Sequence, residues 1–266
     1  MLKTRIVTAV VLVLALLAVI FFLPPIATVI AVTAMVIAGA WEWSAFLRAP
    51  AVAIRAGYVA VVVFLLWAVW QITGSPRGRN TVLLVALVWW IVALLWIVFA
   101  PRRATSVMAA IAGILALVPS WMALIQLRYL PSGAEWMLFV LVLVWAADIG
   151  AYFVGRKFGR TRLAPAVSPG KTWEGVLGGV ALSVLVAVGG AVYFHVEWPL
   201  FVGLCVAVVG FSVVGDLTES LLKRFAGVKD SGTLFPGHGG VMDRIDSVTS
   251  AAPILFFGLI ALGVTA

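Results

Sequence analysis

Nine apolar runs, most of them close to the length of a membrane span, leave this chain little freedom. They fall at roughly 6–22, 26–47, 51–72, 81–100, 106–127, 135–155, 173–194, 199–222 and 247–265. A stretch of about 20 apolar residues crosses the hydrocarbon core of a bilayer as a helix, and a helix satisfies all its backbone groups there without a partner segment. The mean hydropathy of +1.20 agrees, and the short alternating segments of a membrane β-barrel do not occur. The expected fold is therefore all-α, a polytopic integral membrane protein of about nine transmembrane helices. The first run follows Lys3 and Arg5 as a secretory leader would, but no A-x-A-like cleavage site comes after it, so a retained helix is expected.

Charge then sets the expected orientation. The net charge of +8 invites a nucleic-acid reading, yet there is no soluble domain and no basic helix with interleaved aromatics, so no nucleic acid is expected. With the N-terminus in the cytoplasm, about 15 of the 18 Lys and Arg lie inside and only Arg77, Arg79 and Arg128 lie outside, as the positive-inside rule predicts. An odd number of spans places the C-terminus outside. Trp41, Trp43, Trp136, Trp173 and Trp198 fall near span ends and read as interfacial anchors. The one cysteine, Cys205, sits in an apolar run and reads as a small packing side chain.

Acids are nearly missing from the first five spans, Glu42 being the exception, and gather in the rest. Residues 1–134 are therefore expected to be scaffold, dimer-forming or lipid-facing helices. Residues 135–266 are expected to be the catalytic membrane region, with cytoplasmic loops 156–172 and 223–246. The segment from Gly215 to Asp246 alone holds nine charged residues and His238.

In the sixth span Asp148 is followed by Tyr152 at i+4 on the same face. A carboxylate at that depth is costly, so it should face a polar cavity or pair with an arginine. Before the seventh span stands Ser168-Pro169-Gly170-Lys171-Thr172-Trp173-Glu174-Gly175. A hydroxyl ahead of a helix with Glu174 in its first turn is ordinary capping, but the same free N–H groups with Lys171 could cradle a phosphate. It is not a P-loop, because Pro165 stands where the first glycine belongs. Asp216, Glu219 and Lys223, spaced i, i+3 and i+7, share one helical face. Asp243 and Asp246 follow across the loop with Arg244 between them. Four carboxylates gathered there repel one another unless salt-bridged to nearby Lys and Arg or joined by a cation, and hard oxygen ligands suit Mg²⁺. Gly237, Gly239 and Gly240 around His238 would let backbone N–H groups approach an anion. Metal, basic side chains and a Gly-rich turn are equipment for phosphoryl or nucleotidyl transfer.

The stretch Ser220-x-x-Lys223-Arg224-x4-Lys229-Asp230-x-Gly232-x2-Phe235-Pro236-x-His238-Gly239-Gly240-x-x-Asp243-Arg244-Ile245-Asp246 resembles the signature of the phosphatidate cytidylyltransferases, the CDP-diacylglycerol synthases. The Asp148/Tyr152 and S-P-x-K-T-x-E-G stretches resemble the same family. That resemblance implies Mg²⁺-dependent transfer of a cytidylyl group from CTP to phosphatidic acid, giving CDP-diacylglycerol and pyrophosphate in phospholipid biosynthesis. It also implies an integral enzyme of the bacterial cytoplasmic membrane, a homodimer, with a monovalent cation such as K⁺ near the Mg²⁺. Within it the expected metal ligands are Asp216, Glu219, Asp243 and Asp246. The expected catalytic residues are Lys171, Lys223, Arg224, Lys229, Asp230, His238 and Arg244. Asp148, Tyr152, Ser168, Thr172, Glu174, Ser220, Gly239 and Gly240 are the expected substrate-binding residues, around a cavity open sideways between spans seven to nine. The alternative is an ion-coupled transporter using Asp148 and Asp216. A CDP-alcohol phosphotransferase is disfavoured, since no D-G-x-x-A-R element occurs.

Overall fold

Each apolar run of the sequence forms a helix over most of its described length. The computed structural model describes residues 2–48, 51–234 and 239–264. Among them the order is α1 Leu2–Phe21, α2 Pro25–Trp43 with a 3₁₀ turn Ser44–Leu47, α3 Val52–Thr73, α4 Pro76–Phe99, α5 Ser106–Arg128, α6 Gly133–Phe158, β1 Arg162–Ala164, β2 Ser168–Thr172, α7 Trp173–Tyr193, α8 Trp198–Ala226 and α9 Met242–Ala261. Eight helices, α2 to α9, are long and apolar enough to cross a membrane, and α1 adds the shorter apolar segment Val10–Phe21. The chain is an all-α integral membrane protein, and the expected count of about nine spans is close.

Hydroxyl side chains start several of these helices. Ser75, Thr105 and Thr172 accept from the N–H groups of Gly78, Met108 and Gly175, which would otherwise lack a partner in the first turn. Helix α5 lies inside the bundle against α2, α3 and α9, its small residues Ala109, Ala112, Gly113 and Ala116 buried. Helices α6 and α7 form the closest pair. A Cβ on Gly150 would collide with the backbone of Gly178, and one on Gly179 would lie 2.6 Å from the Ala147 carbonyl oxygen. Small residues let backbones approach where lipid supplies no hydrophobic drive for association.

Two of the expected interfacial tryptophans are core residues instead. Trp43 is 2% exposed and donates from Nε1 to the Ala109 carbonyl at 2.8 Å. Trp136 is 3% exposed and stacks on Phe194 with centroids 3.5 Å apart. Both sit near span ends, but the ring N–H of Trp43 and the ring faces of Trp136 are used inside the bundle. Trp41, Trp173 and Trp198 are exposed. Cys205 is buried.

Two boundaries differ from the apolar runs. Helix α9 begins at Met242, so Asp243, Arg244 and Asp246 are helical and do not lie in the loop. The segment 156–172 is not all loop, because β1 and β2 pair antiparallel as a small hairpin with an irregularity between Arg162 and Ala164. Hydropathy reports apolar length and is blind to polar residues that belong to a helix end.

Candidate functional site

The polar ends of α2, α6, α7, α8 and α9 meet at one end of the bundle. Strand β2 points Lys171 toward α8, where its ammonium pairs with Asp216, whose other oxygen accepts from Ser220 Oγ at 3.3 Å. Asp148 makes no hydrogen bond or ion pair among the described residues. It faces the cations Lys171 and Arg244 and the anion Asp216, so the arginine ion pair considered for it does not form.

The second half of the site is built on Lys223. Its Nζ lies 2.7 Å from Asp243 Oδ1 and 3.4 Å from Glu219 Oε2, both on largely buried carboxylates. Asp243 Oδ2 accepts from the backbone N–H of Ser231 at 3.0 Å and of Gly240 at 2.8 Å. Ser231 Oγ stands 3.0 Å from that same oxygen and 3.0 Å from Glu42 Oε2. Glu42 also accepts from the N–H groups of Val241 at 3.0 Å and Met242 at 2.9 Å. These are the free donors of the α9 N-terminus, so a carboxylate in α2 caps a helix two hundred residues away. Gly239, at φ +83°, is a position where a side chain would be strained, and a Cβ there would collide with the Asp243 carboxylate.

Asp246 joins the two halves by facing Asp216 and Glu219. Glu219 is 1% exposed, and no backbone N–H or hydroxyl group donates to either of its oxygens, which face the Asp246 carboxyl and the Lys223 ammonium. The Lys223 ammonium is its only ion-pair partner among the described residues. Burying a carboxylate so poorly partnered is unfavourable by several kcal/mol, to order of magnitude, unless something else is held there.

A cavity of about 410 Å³ opens beside Asp216 and Lys171, also lined by Asp148, Tyr152, Arg156 and Thr172. It lies between α6, α7 and α8. Its volume falls in the range of small-molecule sites, roughly 300–1,000 Å³. At its rim Arg156 donates to the Tyr152 hydroxyl at 3.0 Å. Tyr152 is exposed, with the Phe153 ring edge-on to it at 5.4 Å.

The remaining expected residues are more scattered. Glu174 accepts from the N–H groups of Arg160 and Thr161 at 3.1 Å, which ties the hairpin to α7. Thr172 caps α7. Arg224 donates to the Val167 carbonyl at 3.4 Å. Ser168 is partly buried on β2, whereas Lys229, Asp230 and Arg244 are exposed. His238 lies outside the described residues.

No group of three or more His, Cys, Asp or Glu forms a ready metal centre among the described residues, because Lys171 and Lys223 stand between the carboxylates. The donor set nonetheless fits a hard divalent cation. Glu219 offers two oxygens beside Asp246 that no N–H or hydroxyl satisfies, one of them 3.4 Å from the Lys223 ammonium, and the carboxylates Asp148, Asp216, Glu219, Asp243 and Asp246 outnumber the two lysines that pair with them.

Sequence reading had no role for Glu42 or Ser231. The signal for Glu42 was present, since a lone acid in five apolar spans needs a polar partner. Nothing local announced Ser231, whose importance comes from what folds onto it.

The profile described as "Cytidylyltransferase family" matches residues 3–262. The phosphatidate cytidylyltransferase of Pseudomonas aeruginosa is 42% identical over 276 residues, covering 99% of this chain and 98% of its own length. That of Haemophilus influenzae is 39% identical over 286 residues, covering 97% and 98%. The phosphatidate cytidylyltransferase of Synechocystis sp. is 47% identical over 138 residues, covering 50% of this chain and 45% of its own length.

Proposed function

Because the chain belongs to the cytidylyltransferase family and is a nucleotidyltransferase, we propose that it transfers a cytidylyl group from CTP to phosphatidic acid. The phosphomonoester oxygen of the lipid attacks the α-phosphorus of CTP, a P–O bond forms, the α–β bridging bond breaks, and pyrophosphate leaves. CDP-diacylglycerol stays in the membrane.

What carries this reading is the position of the Lys171–Asp216 pair on the wall of a cavity that lies beside the acid-rich ends of α8 and α9. The attacking oxygen is already anionic, so no strong base is required, and alignment with charge stabilisation carries most of the rate. Lys171, Lys223, Arg224, Lys229 and Arg244 neutralise the triphosphate and the lipid phosphate. Ser168 and the segment with Asp230, His238, Gly239 and Gly240 would position these phosphates, and Ser220, Thr172 and Glu174 order the hairpin and α8 around them. Asp148 and Tyr152 line the cavity from α6, and acyl chains would reach it past the exposed Tyr152. Asp216, Glu219, Asp243 and Asp246 would hold Mg²⁺, with a monovalent cation such as K⁺ nearby. When bound, that metal supplies positive charge to the transferring phosphoryl group.

The same reading places residues 135–266 in the chemistry and 1–134 in support and dimer contacts. It sets the enzyme as a homodimer in the bacterial cytoplasmic membrane, with the site and the N-terminus in the cytoplasm and the C-terminus outside. Protein purified in detergent is given phosphatidic acid, Mg²⁺ and radiolabelled CTP. Label should enter a liponucleotide and stop doing so when EDTA removes the metal. Folded protein that moves no label into lipid would overturn the proposal.

A further inference from the structure

Glu42 is 8% exposed, and no Lys or Arg pairs with it among the described residues. Its partners are the Ser231 hydroxyl and the N–H groups of Val241 and Met242. A buried carboxylate held only by neutral donors is retained where its geometry matters, because losing any one donor leaves charge uncompensated. We propose that Glu42 is a positioning residue, acting through Ser231 and the α9 N-terminus to hold Asp243 in place, a role that rests on the transfer reaction proposed above.

Three features converge on it. Ser231 Oγ has a single proton and lies 3.0 Å from both Glu42 Oε2 and Asp243 Oδ2, while accepting from the Asp243 N–H at 3.3 Å. The place of Glu42 therefore sets the serine rotamer, and the serine with the Gly240 N–H fixes which Asp243 oxygen turns inward. The other oxygen is left to Lys223 at 2.7 Å. Next, the loop is pressed against this carboxylate. A Cβ on Gly232 would collide with the Glu42 carboxylate, and nothing but Glu42 is among its nearest neighbours. Last, the chain just after Glu42 grips the opposite side of the same loop. The Arg48 guanidinium donates to the Phe225 carbonyl and lies 4.2 Å over the Phe225 ring, at the end of α8. One short segment of α2 and its 3₁₀ turn thus holds both the end of α8, through Arg48 at Phe225, and the start of α9, through Glu42 at Val241 and Met242.

Glu42→Gln keeps size but turns an amide group toward N–H donors. Gly232→Ala leaves every polar group in place and displaces the carboxylate by one methyl. Initial rates of label transfer, against both CTP and phosphatidic acid, are measured on the purified full chain. The variants are Glu42→Gln, Glu42→Ala, Gly232→Ala and the double Glu42→Ala/Gly232→Ala, each with its thermal midpoint. The single variants should lose kcat roughly 10- to 100-fold, the scale of a misplaced reacting group, with both KM values within about twofold and the loss out of proportion to any fall in the thermal midpoint. The double variant should turn over no more slowly than Glu42→Ala, because the added methyl then occupies vacated space. Hydrogen exchange at the Val241 and Met242 amides should quicken in Glu42→Gln and Glu42→Ala.

An undiminished kcat in Glu42→Ala, losses that simply follow the thermal midpoint, or multiplied losses in the double variant would each overturn the role. A parent protein that moves no label sinks the transfer reading and the catalytic side of the role together. Unchanged exchange at Val241 and Met242 sinks the role of Glu42 alone, whatever the activity.

Discussion

Asp243 has its two oxygens assigned to different work. Oδ1 takes the Lys223 ammonium at 2.7 Å, and Oδ2 takes the N–H groups of Ser231 and Gly240. Asp243→Asn preserves the volume but removes the charge and points an amide at one of these donors. Turnover should fall by at least about 100-fold, the scale for losing a preorganised electrostatic group. The helix and its neighbours should stay folded, as circular dichroism and the thermal midpoint would report. Activity near that of the parent would remove Asp243 from the site. Most of the residues that meet here were legible as a cluster of charges at i, i+3 and i+7 spacing. The pairing among them was not. Nothing in the spacing says that Lys171 takes Asp216 while Lys223 takes Asp243, because those choices depend on how β2 and α9 approach α8.

The α6–α7 seam is made by absence of side chains. Gly150 and Gly178 touch backbone to backbone, with Val154 against Gly178 and Ala147 against Gly179. Gly150→Val should force the helices apart and cost about 1–3 kcal/mol, the usual penalty of overpacking, seen as a lower thermal midpoint in detergent. Activity should fall with it, since Asp148, Tyr152 and the Lys171 hairpin hang from these two helices. Gly189→Ala on the same α7 meets nothing within 4 Å and should leave both unchanged. An equal effect of the two substitutions would refute the seam. Helix positions were readable from apolar length, but the start of α9 was not. Its first turn is polar, and a residue of α2 satisfies its free N–H groups.

For the molecule in its membrane, orientation follows from where Lys and Arg collect. A reporter fused after the last residue should read as outside the cytoplasm, and substituting Arg102 and Arg103 by Asn should weaken that bias. A cytoplasmic signal from the C-terminal fusion would reverse the assignment. The sequence by itself determined the membrane class, the helix order and the segments where charged residues gather. These depend on apolar length, charge count and spacing, which are local properties of a chain in lipid. Only the tertiary structure decided that Trp43 and Trp136 belong to the core, that the cavity lies between α6, α7 and α8, and that Glu42 from the acid-poor half reaches Ser231 and Met242. Those outcomes depend on which helix faces meet. Contacts between residues two hundred positions apart leave no periodic trace in the sequence.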